Sequence, residues 1–214
     1  MSSEIVPTPQ KPGPRPRGRP QGYDDREALD TAMLLFWAHG YEGASVDMLC
    51  RETGMPRASL YQRFGDKEGL FLATIEHYGE TRIAGVTEKL SAARLAVALD
   101  GFFDAVAALA TDDPEARGCL VSCVLADAAG SNLRFRTELA RRFARMETRL
   151  TARLAEARAA HELAGNTDPA ALAGVLAAVA RGIVLRARAG ASRAELQAVA
   201  RAATALVPYS PLAA

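Results

Sequence analysis

The sequence predicts an all-α protein, and three observations carry that expectation. Apolar residues from position 24 onward recur at i, i+3, i+4 and i+7, the spacing of one helix face. No stretch alternates apolar and polar residues with β-branched enrichment, as a half-buried strand would. The periodic runs are punctuated by Gly, Pro, Asn and Asp clusters, several of them ending in a residue able to cap a following helix.

Each element can be justified in turn. Residues 1–22 hold Pro7, Pro9, Pro12, Pro14, Pro16 and Pro20 and few apolar side chains, so they are expected to form a disordered arm. Its cations Lys11, Arg15, Arg17 and Arg19 stand without an intervening acid. Asp24 can cap a first helix with Glu27 at its third position and Leu29, Ala32, Met33 and Phe36 on one face, ending at His39-Gly40. Ser45 caps a short second helix carrying Val46, Leu49 and Cys50, which Gly54 stops. A third short helix over 57–64 anchors through Leu60 and Phe64. After Gly65, Asp66 caps a fourth through Leu70, Phe71, Ile75 and Tyr78. Further helices are expected over 91–109, 117–128, 131–164, 169–188 and 193–206, the last opened by a Ser192/Glu195 capping box.

The bulk numbers narrow the function classes. With 26 Lys+Arg against 25 Asp+Glu the formal net charge is +1, so a polyanionic partner has to be met by locally placed cations. The opening MSSEIVPTPQ lacks the apolar run of a signal peptide, and no long uncharged apolar stretch follows, so a cytoplasmic protein without a membrane span is expected. Three cysteines without CxxC spacing argue against a disulfide framework. His39, His77 and His161 are scattered, so neither a metal site nor a cofactor is expected. There is no GxSxG, phosphate-cradling glycine loop or HExxH, which leaves an enzyme without a supporting constellation.

Two short helices separated by Gly54-Met55-Pro56 fit a helix-turn-helix, in which a tight turn sets the second helix across the first. Over Tyr23 to Tyr78 the sequence resembles the TetR family of bacterial regulators. The resemblance lies in the Gly18-Arg19-Pro20 arm, the first helix ending in Phe36 to Tyr41, the Ser45 cap, the turn residue Gly54, and the run from Leu60-Tyr61 through Phe64 and Lys67-Glu68 to Leu70. It implies a basic arm over 1–22, a three-helix DNA-binding domain over 23–79, and a helical effector-binding and dimerisation domain over 80–214. The implied function is a sequence-specific regulator, a repressor released from a palindromic double-stranded operator by a small, largely apolar effector.

A recognition helix offers its N-terminal and outward residues to the major groove, which nominates Arg57, Ala58, Ser59 and Gln62, with Arg57 as the best base reader. Tyr61 and Ser45 resemble the family's phosphate contacts, and Lys67 sits at a helix start where a phosphate can be met. Arg15, Arg17 and Arg19 are placed to enter the minor groove or neutralise phosphates. One departure stands out: Pro56 occupies the position where the family commonly carries a capping Ser.

The helix from 169 is apolar on every face and is too short to span a bilayer. It is therefore expected to be buried on both sides, and the resemblance to the family implies that, with the last helix, it forms half of a four-helix homodimer interface through Leu172, Leu176, Val179 and Ile183. Two apolar stripes read on their own as core; because the same helices enclose an effector pocket in the family it resembles, the resemblance nominates Phe102, Phe103, Phe143 and Met146 as effector-lining, and the arginines of the long helix read as a solvated face. Arg117-Gly118-Cys119-Leu120 resembles a stretch found in one branch of the family. Cys119 and Cys123 are expected to be structural thiols, a thiol- or metal-sensing regulator being the alternative. A helical adaptor that binds protein rather than DNA is the remaining alternative.

Overall fold

The computed structural model describes residues 24–113 and 118–210, and these hold ten α-helices, two π-helical turns and one 3-10 turn. Their only β element is an isolated antiparallel bridge, Leu163 to Tyr209. The arm with Arg15, Arg17 and Arg19, and Arg117 of the expected 117–128 helix, lie outside the described residues.

Four helices open the chain: α1 (Asp25–Gly43), α2 (Val46–Thr53), α3 (Arg57–Phe64) and α4 (Lys67–Tyr78). The Asp24 carboxylate starts α1 by accepting from the Arg26 and Glu27 amides at 2.8 and 3.1 Å. Gly40 breaks the helix with φ +72, where the sequence places its end, and one further turn follows. The Ser45 hydroxyl accepts from Met48 N at 3.1 Å to start α2. Gly54 ends that helix in the left-handed region at φ +67, which glycine adopts without a side-chain clash. Pro56 precedes α3 with no side-chain cap, and the Asp66 carboxylate caps α4 through Gly69 N at 2.7 Å. A Cβ at Gly69 would lie 1.8 Å from the Phe64 carbonyl oxygen, so the close approach of the end of α3 to the start of α4 requires glycine there. Phe36, Leu49, Leu60, Leu70, Phe71 and Ile75 are fully buried between these helices. Each contributes about 1.5–3 kcal/mol of hydrophobic stabilisation.

The chain does not stop at Tyr78. A π turn (Gly79–Ile83), α5 (Ala84–Glu88) and a 3-10 turn (Lys89–Ser91) extend the same rod. The boundary expected between 79 and 80 thus falls inside a continuous helical run. Next come α6 (Leu95–Thr111), a second π turn (Leu120–Leu125), α7 (Ala126–Ala128), α8 (Leu133–Ala159), α9 (Pro169–Arg188) and α10 (Arg193–Ala205). Asn132, Asp168 and Ser192 cap the last three, Ser192 with Glu195 as a full capping box. The expected helix over 117–128 is a π turn with a short α appendix. The expected helix over 131–164 stops at Ala159, where His161 takes a positive φ of 58°.

Helix α9 packs on α6, α8 and α10, with Ala173, Leu176, Ala177, Ile183 and Val184 buried. Contrary to the expectation from sequence, it is long and apolar enough by length and composition to cross a membrane. Its inward face is nevertheless buried as a core helix's is.

Candidate DNA-binding surface and ligand cavity

The α2–α3 pair holds its outward face to solvent because Leu60 alone of α3 is fully buried. Arg57, Ala58, Tyr61 and Gln62 are exposed on that face, and Ser59 is half-buried at its edge. Arg57 is not idle: its guanidinium lies 3.2 Å from the Asp47 carboxylate of α2. The Tyr61 side-chain hydrogen bond, followed by Asp47, raises its pKa further. A base or phosphate would exchange for these partners. Ser45 is exposed, its oxygen occupied as an acceptor by Met48 N and its hydroxyl hydrogen left to donate.

Lys67 is turned inward more than a solvated helix start would be. Its ammonium sits 4.4 Å from the centroid of the Tyr41 ring and donates to the Glu42 carbonyl at 3.4 Å. Burial draws its pKa below the ordinary lysine value. Tyr41, pushed up to about 12 by burial and by the nearby Glu68, Glu42 and Asp66, is held on its other side by Phe135 at 4.8 Å. Phe135 is fully buried and also meets Phe71 edge-on at 5.2 Å, so the start of α8 is embedded in the helix-turn-helix core. Asn132 and Arg134 donate to the Glu68 carboxylate at 2.8 and 3.1 Å. Farther along, Arg141 and Arg142 of α8 grip Glu76 of α4. Helix α8 thus joins α4 in linking the helix-turn-helix to the rest of the chain.

A cavity of about 360 Å³ lies between the α4–α5 rod, α6, the second π turn, α8 and α9. That volume is within the range of small-molecule sites. Phe143 and Met146 are on its wall. Phe102 and Phe103 are not: both are fully buried and meet edge-on at 5.2 Å, whereas Val106 and Leu109, one and two turns further along α6, reach the cavity. Residues 102 and 103 are adjacent in sequence and 106 lies a turn further on, so one apolar stripe could not say which part faces a void and which a neighbour. Sequence reasoning missed the polar part of the wall, Thr87, Arg142, Arg145, Arg149 and Arg181. The signal was present: Arg142, Arg145 and Arg149 share i, i+3 and i+7 spacing with Phe143 and Met146 on the same side of α8.

Both π turns face this cavity, the first through Gly79, Glu80 and Ile83 and the second through Val121 and Ser122. Single π turns inside helices recur at functional sites. Cys119 also reaches the wall, buried, and accepts a hydrogen bond from the Tyr78 hydroxyl at 3.4 Å. Cys123 is half-buried, and burial raises its thiol pKa, which keeps it protonated and less nucleophilic. Among the described residues no three His, Cys, Asp or Glu side chains cluster as metal ligands.

The four α9 residues expected at the dimer interface face different ways. Leu176 and Ile183 point into the chain's own core, whereas Val175 and Leu185 are 60% and 53% exposed, with Ala171 and Ala178 in the same stripe. Leu172 and Val179 are half-buried at its margin. On a helix apolar all round, periodicity does not tell which side faces inward.

Comparison with known proteins bears on both parts. Residues 28–74 match the family described as "Bacterial regulatory proteins, tetR family", and residues 95–203 match the "Tetracyclin repressor-like, C-terminal domain". The chain is 33% identical over 196 residues to the HTH-type transcriptional repressor ComR of Escherichia coli (strain K12), covering 90% of this chain and 92% of that one. It is 35% identical over 136 residues to the uncharacterized HTH-type transcriptional regulator YezE of Bacillus subtilis (strain 168), covering 62% and 67%. Among solved structures, a cysteine mutant of the TetR family transcriptional regulator CifR complexed with 26bp double-strand operator DNA superposes with a TM-score of 0.82 at 30% identity. That match covers 89% of this chain and all of the other.

Proposed function

The chain belongs to the TetR family of bacterial regulatory proteins, and on that premise we propose that it is a dimeric, sequence-specific transcriptional repressor released from its operator by a small ligand. The proposal rests above all on one observation. The rod that begins beside the recognition helix α3 as α4 continues, through the first π turn and α5, into the wall of the ligand cavity. ComR is named a repressor, and CifR is seen on operator DNA. The family is one of transcriptional regulators, and the chain is assigned no catalytic step. Its place of action is the cytoplasm, where bacterial DNA is reached.

In this reading residues 23–79 bind DNA and 80–214 bind the effector and the partner protomer, with the 1–22 arm assisting on the duplex. Helix α3 enters the major groove; Arg57 and Gln62 read base edges while Ala58 and Ser59 set how closely the helix approaches. Tyr61 and Ser45 hold phosphates. Lys67 adds a cation whose position is fixed by Tyr41, and so by the start of α8. The dimer forms through the outward stripe of α9 with Val175 and Leu185 and the neighbouring face of α10, where Ala198 and Ala202 are exposed. Small residues there let helices approach closely. The effector is largely apolar, in keeping with Phe143, Met146, Val106 and Val184 on the cavity wall.

Release follows from geometry. Two recognition helices bind two half-sites only at matching separation, so a ligand that prefers another disposition of the α4–α5 rod weakens binding. A hundredfold release requires about 2.7 kcal/mol of differential affinity. Operator titrations on wild type and on Ala180→Trp, which fills the cavity, test the assignment: the variant should bind DNA and lose its response to any ligand found by screening. A variant still released by that ligand would place the effector elsewhere.

A second reading, thiol sensing in the same fold, draws on the position of Cys119 on the cavity wall beside Tyr78. The burial of Cys119 and the raised pKa of Cys123 weigh toward structural thiols.

A further inference from the structure

The cavity's polar groups are unevenly satisfied, and the inequality names a ligand chemistry. Four guanidinium groups stand on its wall. Arg142 is committed to Glu76 and Glu138. Arg181 pairs with Glu147 and lies 4.1 Å from the centroid of the Phe143 ring. Arg145 comes only within 3.9 Å of Glu76, which already serves Arg141 and Arg142. Arg149 has no carboxylate partner among the described residues; its guanidinium donates to the Thr87 hydroxyl. Thr87 is itself 7% exposed on the cavity wall, and its hydroxyl donates to the Ala84 carbonyl at 3.1 Å.

A guanidinium carries five N–H donors in a rigid fork that matches a carboxylate bidentately. Arg145 and Arg149 stand four residues apart on α8, so both heads can converge on one anion. Among the described residues the one acid on the wall is Glu80, which is exposed and precedes Thr87 by seven residues, about 10 Å along a helical axis. It therefore stands at the other end of this wall. The remaining lining is chiefly aliphatic and aromatic.

Building on the reading above that a small ligand occupies this cavity, we propose that the ligand is an amphipathic carboxylate. Its head pairs with Arg149 and Arg145 beside Thr87, and its apolar body runs over Met146, Phe143, Val106 and Val184. The anion completes the donors that the protein leaves open, and the body displaces water from the apolar wall. A neutral or cationic amphiphile of the same length gains only the second effect.

Calorimetric titration of the full-length protein with decanoate, decanol and decylamine tests this. Decanoate should bind about tenfold more tightly than decanol, the scale of one charge-assisted hydrogen bond. Decylamine should bind most weakly, the decanoate preference should shrink in R149Q, and in R145Q/R149Q decanoate and decanol should bind alike. Decanol matching decanoate on the wild type, or an undiminished decanoate preference in R149Q, would overturn the assignment while leaving an apolar effector site in place. A neutral solvatochromic dye separates the two readings. If the dye enters wild type but not Ala180→Trp, and decanoate fails to displace it, the cavity binds ligands and the anionic class is wrong. If the dye does not enter wild type either, the cavity reading itself fails.

Discussion

The Tyr78 hydroxyl donates to the Cys119 sulfur across 3.4 Å, joining the last residue of α4 to the strand-like residue that precedes the second π turn. The same tyrosine ring meets Trp37 of α1 edge-on at 5.1 Å. One fully buried side chain therefore touches the helix-turn-helix core on one side and a cavity-wall residue on the other. Tyr78→Phe, which keeps the ring and loses the hydrogen bond to a weakly accepting sulfur, should lower unfolding free energy by about 1 kcal/mol or less. Tyr78→Ala should cost about 3–5 kcal/mol. Denaturant melts of both variants check the ratio.

On the DNA-facing side, Arg57→Ala should relax base preference, with discrimination at one position falling about tenfold to a hundredfold if its fork pairs with a base. Lys67→Ala should instead weaken all duplexes alike and reduce the salt slope by about one. Because Lys67 also covers Tyr41, the second variant should melt lower as well. Titrations of matched and scrambled duplexes at several salt concentrations separate the two roles.

For the dimer, Val175→Asp and Leu185→Asp should yield folded monomers that no longer hold a two-half-site operator. Leu176→Asp and Ile183→Asp should unfold the protomer, because each places an unpaired charge in a closed core. Sedimentation combined with circular dichroism distinguishes the outcomes. A folded monomer from Ile183→Asp would mean that the inward and outward faces of α9 are reversed.

The clamp between α4 and α8 should be acid-labile. Burial acts to raise the carboxyl pKa values of Glu76 and Glu138, and the Arg141 and Arg142 guanidinium groups overcome it, holding both below the ordinary value of 4.5. A depressed folded-state pKa gives stability that is fully present above the unfolded value and is lost as pH falls through the folded one. Thermal stability should therefore decline below about pH 4.5, and Glu76→Gln should flatten that decline. An unchanged acid limb in the variant would show that this cluster does not couple to folding.

Much of this was legible in the sequence because capping is local chemistry. Asp24, Ser45, Asp66, Asn132, Asp168 and Ser192 each start the helix they precede. The kink at Gly40 and the stop at Gly54 follow from residue type alone. The π turns were not legible, since a one-residue insertion in a helix leaves apolar spacing nearly intact. Nor was the docking of Phe135 against Tyr41 and Phe71, a contact between residues far apart in the chain. Facing directions were the weakest part. Phe102 reads as well for a cavity wall as for a core, and Leu176 as well for an interface, because each belongs to a helix surrounded on several sides.

Whether α3 recognises a particular DNA sequence can be read by selecting bound duplexes from a random double-stranded library. A palindromic consensus should emerge, bound about a thousandfold more tightly than scrambled DNA, with affinity falling as salt rises and with the preferred bases altered in Arg57→Ala. Enrichment without a consensus, or a consensus that Arg57→Ala and Gln62→Ala leave untouched, would contradict sequence recognition through α3.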